Sequence, residues 1–349
     1  MNLVPGDLYF LREVDVLDGT VSPYCKIGLV KDWRQGDADK RAAEHQTGNP
    51  RQLTVIDQVH ALAVSDVEKS IHHRFASQRI LGEWFEMPND TDVAAAASAA
   101  RELARELEDH HEVLVRAHEL RSVKSDDSTL PPTEEDQHWF VRLHTARHLK
   151  KEVEGLRKQA ERIFRDAFDA DPEAERFAGV TERVTRPFAT GKFAEAHPDL
   201  HEQFLRSEVR MTQRFTPKRP DPGFEPPPDA SFGAMADHLQ PLIGMAAEDQ
   251  SLLEDLHLAF LRLLGVEARA KWDVELAEAH LKAACDQARG IEGLCTWSRT
   301  SGEQLTFDTK AFRTEHPELY DQFAEQVINR SFSVLPMRSY RPRRTTHEA

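Results

Sequence analysis

Apolar positions alternate or run together over residues 7–14 and 21–30, on either side of the turn dipeptide Asp18-Gly19, a pattern that predicts an antiparallel hairpin. Residues 37–46 carry the pattern of a short helix, closed by the stop signal Thr47-Gly48-Asn49-Pro50. Leu53-Thr54-Val55-Ile56 and Val59 predict a third strand. A helix opens at Ser65 and runs to about Ser77, with Asp66 and Glu68 in its first turn. The order ββαβα describes a small sheet flanked by helices that ends near Pro88.

From Asp92 to Leu120 the chain is rich in alanine and arginine, and Leu103, Leu107, Leu114 and Ala117 form one helical stripe. Ser122 to Thr133 is a polar linker. An internal repeat follows. Glu135-Asp136-Gln137 and Leu143-His144 recur as Glu248-Asp249-Gln250 and Leu256-His257 at one constant offset. Phe188, Thr190, Phe193, His197-Pro198-Asp199-Leu200 and Gln203-Phe204 recur as Phe307, Thr309, Phe312, His316-Pro317-Glu318-Leu319 and Gln322-Phe323. Each copy opens with a long helix whose apolar residues alternate by four and three: Leu149, Val153, Leu156, Ala160, Ile163 and Ala167 in one, Val274, Ala277, Leu281 and Ala284 in the other. A short β segment (Thr296-Trp297-Ser298-Arg299 and Leu305-Thr306-Phe307 in copy two) and a helix entered through His-Pro complete the module. The two coiled-coil-like seams pack within one chain or between chains, and pairing between chains, giving a homodimer, is expected. Pro217 to Pro228 reads as a flexible joint. The fold class is α+β, with a small αβ domain at 1–90, a helix and linker at 91–133, module copies at 134–216 and 231–336 around a proline-rich linker at 217–230, and a basic tail at 337–349.

A chain of 349 residues suits two or three domains. No apolar run approaches a membrane span, and the first residues lack a secretory signal. Cys25, Cys285 and Cys295 have no metal-ligand spacing, and three scattered thiols suit a reducing cytoplasm. The formal net charge of −15 argues against a protein that coats nucleic acid nonspecifically, since phosphate neutralisation needs lysine and arginine. It leaves room for a nuclease, whose cations need cluster only around one scissile phosphate.

One phenol, one lysine, one arginine and one carboxylate recur in order on the first domain, the set that phosphodiester cleavage requires: Tyr9, Lys26-Ile27-Gly28, Arg41, Gln46-Thr47-Gly48-Asn49-Pro50, Glu68 with His72, and Glu83-Trp84-Phe85. These landmarks resemble the GIY-YIG endonuclease superfamily, in the phage and bacterial branch with lysine in the second triplet and a terminal Glu-Trp-Phe. The first triplet reads Asp7-Leu8-Tyr9, so its glycine is missing, although Gly6 sits one place upstream. The resemblance implies a metal-dependent DNA endonuclease in phage defence or mobile-element biology. Glu68 would hold one Mg²⁺ or Mn²⁺. Tyr9 would orient or deprotonate the attacking water, Arg41 would stabilise the phosphorane, Lys26 would replace the second phenol, and His72 would project beside Glu68 toward the same site. Residues 286–334 resemble the C-terminal extension of YqaJ-type phage recombinase exonucleases, through Gly290-Ile291-Glu292-Gly293, Thr296-Trp297, Phe307-Asp308, Phe312 and His316-Pro317-Glu318-Leu319-Tyr320. That resemblance imports a DNA-processing context and no catalytic residues.

Taken singly, each residue has an ordinary reading. Tyr9 is a packed strand aromatic, Glu68 a helix-dipole residue, His72 a core or surface histidine, and Lys26 and Arg41 are solvated. Their order together favours the site. Glu83 and His45 stand between the two readings, and Tyr24, on the strand face of Lys26, is a substitute phenol. His110, His111, His144, His148 and His257 lack zinc spacing and read as helix faces. Arg338, Arg341, Arg343 and Arg344 around Tyr340 form a basic tail able to touch a nucleic-acid backbone. The rival function is a catalytically weakened fold that binds DNA or a protein partner on a helical scaffold. Convergence of Tyr9, Lys26, Arg41 and Glu68 on one cleft separates the two.

Overall fold

A computed structural model describes residues 1–32, 38–47 and 49–338. In chain order its elements are β1 (Gly6–Val14), β2 (Val21–Lys31), α1 (Ala38–Gln46), β3 (Gln52–Ala61), α2 (Val64–Arg74), β4 (Arg79–Leu81), β5 (Trp84–Glu86), α3 (Asp90–Asp109) and α4 (His111–Glu119). The second part contains β6 (Thr129–Leu130), α5 (Glu134–Ala170), β7 (Ala178–Thr185), α6 (Thr190–Ala196), α7 (Pro198–Gln203), β8 (Leu205–Pro217) and α8 (Ala230–Ala246). It continues through α9 (Leu253–Cys285), β9 (Gly290–Ile291), β10 (Cys295–Phe307), α10 (Thr309–Glu315), α11 (Pro317–Phe323) and β11 (Val327–Val334). The α+β class expected from the pattern is the class observed. Asp37 and Gly48, within the predicted α1 and its stop signal, lie outside the described residues, as do Tyr340, Arg341, Arg343 and Arg344.

β1 is an interior strand between β3 and β2, and its run Leu8-Tyr9-Phe10-Leu11 is buried on both faces. Leu8 and Phe10 join Cys25, Ile27, Val67 and Ile71 in the main core, while Tyr9 and Leu11 pack on Val30, Ala38 and Ala42 under α1. Alternation along the strand thus sends Tyr9 to the α1 side. The sheet order is β3-β1-β2-β5-β4, every pairing antiparallel. The pattern missed β4 and β5, strands of three residues joined through Gly82 at φ 55°, because so short a hairpin shows no period. The helix predicted over 92–120 is two, α3 and α4, broken at His110. Ala96, Ala97 and Ala100 bring α3 close onto the sheet's core.

The long helices α5 and α9 run antiparallel, with Arg147 hydrogen-bonded to Glu278 (2.8 Å) and Arg157 ion-paired with Glu267 (3.2 Å). Val153, Leu156, Ala160 and Phe164 of α5 share one core with Leu256, Phe260 and Leu263 of α9. Of the two arrangements open to the seams, packing within one chain is the one the α5 seam adopts. The two module copies are also cross-paired. β8 of the first pairs with β10 of the second over Leu205–Pro217, and β7 pairs with β11. β10 is one strand of 13 residues where two short segments were predicted. The repeated Phe188, Phe193 and Phe204 meet Phe307, Phe312 and Phe323 in a single aromatic cluster at the far end of both ribbons. The repeat is therefore a pseudo-two-fold pair inside one chain.

Candidate active site

A cleft of about 570 Å³ opens between β1, β2, α1, α2 and the β4–β5 turn, lined by Tyr9, Lys26, Lys31, Lys40, Arg41, Glu44, His45, Ser65, Glu68 and Glu83. Four sequence-predicted residues, Tyr9, Lys26, Arg41 and Glu68, line it together. Tyr9 stands opposite Gly28 in the β1–β2 register. A Cβ on Gly28 would lie 2.5 Å from the Tyr9 hydroxyl oxygen, so this glycine makes room for the ring. Gly6 has a separate role: a Cβ there would fall 2.1 Å from the carbonyl oxygen of Val30, so close strand approach excludes a side chain.

Burial, then the Glu83 carboxylate, pushes the Tyr9 phenol up to about 12, while its hydrogen bond with Arg41 opposes the shift. The phenol is therefore protonated at neutral pH and suited to orient a group by hydrogen bonding. Of the two roles implied for it, deprotonating water is the one this environment disfavours. Arg41 also pairs with Glu44, one turn along α1.

Lys26 is largely buried, with its Nζ 3.0 Å from a Glu83 oxygen and 2.9 Å from Nε2 of His45. An ammonium only donates, so Nε2 accepts and His45 is neutral with its proton on Nδ1. Burial, followed by Lys26 and Arg41, holds the His45 pKa below the usual imidazole value, in agreement. His45 follows Arg41 by one helical turn, so both reach the cleft from one face of α1.

α2 begins at Val64, which places Glu68 in its second turn. Burial first and the nearby Glu83 second push the Glu68 carboxyl up to about 7, with Arg79 and Lys26 opposing. Burial lowers the Arg79 guanidinium, and Glu83 and Glu68 counter it. The Arg79 Nε is fixed by the Gly82 carbonyl at 2.5 Å. Sequence reasoning missed Arg79, because the signal placing it is the unrecognised β4–β5 hairpin. Glu83 and His45 were legible only as undecided residues.

His72 does not line the cleft, which corrects its projection beside Glu68. It is buried, its Nε2 donates to the Ile27 carbonyl at 2.9 Å, and its ring leans on Phe85 at 5.2 Å. Burial pushes its pKa down to about 4, so it is a neutral strut between α2 and β2. Tyr24 is 42% exposed and pairs with Glu86 in register, outside the cleft lining. Of the helical histidines, His110 contacts His280 at 3.1 Å and His257 contacts the Leu335 carbonyl at 2.9 Å, both within packed interiors. Among the described residues, Asp7, Asp32 and His60 bring ligand atoms within 4.8 Å of one another, and none of the three lines the cleft.

Two carboxylates near one another among lysines and arginines form an oxygen-donor pocket of the kind hard divalent cations occupy. The raised Glu68 carboxyl is the observation that fits such an ion, since a cation would relieve the charge cost of burying that group. Among the described residues, no helix is long and apolar enough to cross a membrane. No curated protein and no solved structure matches the chain. Residues 8–108 match the T5orf172 domain, a nuclease-like domain related to homing endonucleases and to the GIY-YIG group.

Proposed function

We propose that the chain is a metal-dependent DNA endonuclease whose chemistry lies in the Tyr9–Lys26–Arg41–Glu68 cleft. The observation that carries this reading is the convergence of those four side chains on one cavity, from two strands and two helices far apart in sequence. A scaffold that only binds DNA has no need of a half-buried carboxylate beside a phenol, a guanidinium and an ammonium. That convergence favours catalysis over the weakened, binding-only rival.

Glu68, with Glu83 beside it, would hold Mg²⁺ or Mn²⁺. When bound, that ion supplies Lewis-acid polarisation of the phosphate and charge for the leaving oxygen. The Tyr9 hydroxyl, already accepting from Arg41, donates its own proton to orient the incoming water or a phosphate oxygen. Arg41 offers its planar fork to the phosphate, where negative charge grows in the transition state. Lys26 spends two of its three donors on Glu83 and His45, which leaves one for a phosphate oxygen. His45 and Glu83 thereby position the Lys26 ammonium, and His72 holds β2 against α2 beneath it. The direct test is incubation of supercoiled plasmid with the protein. Nicked circles should form with Mg²⁺ or Mn²⁺ and be absent with EDTA, and equal nicking in EDTA would overturn the metal's part.

A further inference from the structure

The β8–β10 ribbon leaves the body as two paired strands of 13 residues each, about 43 Å of extended chain at the usual rise. Arg206 to Arg210 and Thr300 to Leu305 are exposed without interruption. Consecutive residues point to opposite faces, so both faces of the ribbon are uncovered there. One face is turned to protein at both ends: Trp297 and Arg299 are buried at the root and Phe307 at the tip. Gln213 on that same face donates to the Arg121 carbonyl at 3.0 Å.

The opposite face is different in kind. It carries Arg206, Arg210 and Arg214, spaced every fourth residue or about 13 Å apart. Thr212 and Gln304 add neutral donors, and Glu208 is the lone carboxylate among the β8 residues of this face. Three arginines against one glutamate stand out on a chain of net charge −15. Arg206 pairs with Asp308 at 2.7 Å and Arg210 with Glu208 at 2.8 Å, both arginines more than half exposed. The Arg210–Glu208 pair is exposed on both sides, so it is weak and exchanges readily for a phosphate, while Arg206 keeps an exposed guanidinium beside a largely buried Asp308. The pseudo-symmetric β7–β11 ribbon has no such row, and its Arg330 is paired with Glu182. The basic ribbon is also the one whose root, Phe215 and Trp297, packs in the same core as the nuclease sheet.

We propose that the arginine face of the β8–β10 ribbon is a docking surface for duplex DNA, contacting its backbone along or within the major groove. A two-stranded antiparallel ribbon has the width that groove admits, and the arginine spacing suits phosphate contacts. The choice of DNA over other polyanions rests on the cleavage reading of the cleft. The surface would explain how an acidic chain retains a polyanion near its cleft.

Binding of a fluorescent 30-base-pair duplex, measured by anisotropy in EDTA with the full chain, tests the surface independently of cleavage. The triple variant R206A/R210A/R214A should bind at least tenfold more weakly at about 100 mM salt. Its slope of log affinity against log salt should fall by about 2 to 3, one for each lost phosphate contact. Glu208→Gln should tighten binding severalfold, a gain that a folding defect cannot mimic. Unchanged affinity and salt slope in the triple variant, or no tightening in Glu208→Gln, would overturn the proposal. So would a wild type that binds no duplex in EDTA. Plasmid nicking by the same preparations, read separately with Mg²⁺, shows whether the cleavage reading stands when the docking surface does not.

Discussion

Tyr9 and Gly28 face one another across β1 and β2 so closely that the hydroxyl oxygen of one occupies the space a Cβ on the other would need, 2.5 Å away. The glycine of the second triplet is thus a space-maker for the phenol of the first. Gly28→Ala should force the ring off its position against Arg41 while leaving the hairpin paired. Overpacking of this kind costs about 1–3 kcal/mol, and misplacement near the chemistry should lower nicking at least tenfold. Plasmid nicking rates with a parallel thermal melt check this, and wild-type turnover would show that Tyr9 is only a packed ring.

Arg41 touches both the Tyr9 hydroxyl and Glu44, and its part depends on a fork able to hold two oxygens. Arg41→Lys keeps the charge and loses the fork, so the cleavage rate should fall by roughly two orders of magnitude. Single-turnover rates measure it. An unchanged rate would leave Arg41 as a solvated helix residue.

The Glu68 carboxyl is held up at about 7 by burial and by Glu83. Its folded value exceeds the unfolded one, so its contribution to stability is fully present below about 4.5 and is lost as pH rises through about 7. Without metal, the melting temperature should drop across that window, and Glu68→Gln should flatten the drop. Activity should run the other way, rising with pH as the carboxylate forms, at a pH below that of the metal-free group because a bound cation favours the charged form. Glu83→Gln removes a raising charge and should move that rise to lower pH, unless the loss of the Lys26 partner abolishes nicking outright. Melts and rate profiles from pH 4.5 to 8.5 read both effects, and an unmoved melting curve in Glu68→Gln would refute the assignment.

Leu156 lies in the core between α5 and α9, where the chain closes on itself. Light scattering should therefore give a mass near 39.8 kDa. Leu156→Asp should cost several kcal/mol of stability by burying an unpaired charge, with no change in mass before unfolding. A mass of twice that value, halved by Leu156→Asp, would restore the seam as a contact between chains.

The sheet was legible where period and turn chemistry agreed, as in the β1–β2 hairpin around Asp18-Gly19. It was not legible at β4 and β5, whose three-residue strands carry no period. The repeat was legible as matched aromatics and His-Pro entries, yet nothing in a local pattern says that β8 pairs with β10 and β7 with β11. Strand exchange between copies is a tertiary choice. Tyr9, Lys26, Arg41 and Glu68 were readable because their order mirrors a family pattern. His72 misled because helical spacing places it near Glu68 but does not reveal that the Ile27 carbonyl claims its ring. Arg79 had no signal until the hairpin that aims it was known.

The central claim is that Glu68 makes the cleft a metal-dependent phosphodiesterase. Relaxation of supercoiled plasmid by the wild type and by Glu68→Gln, side by side in Mg²⁺ and Mn²⁺ with matched melting curves, tests it most directly. The account predicts nicking by the wild type and at least a hundredfold loss in the folded variant, the scale of one lost electrostatic contributor to catalysis. Equal nicking by both proteins would contradict it.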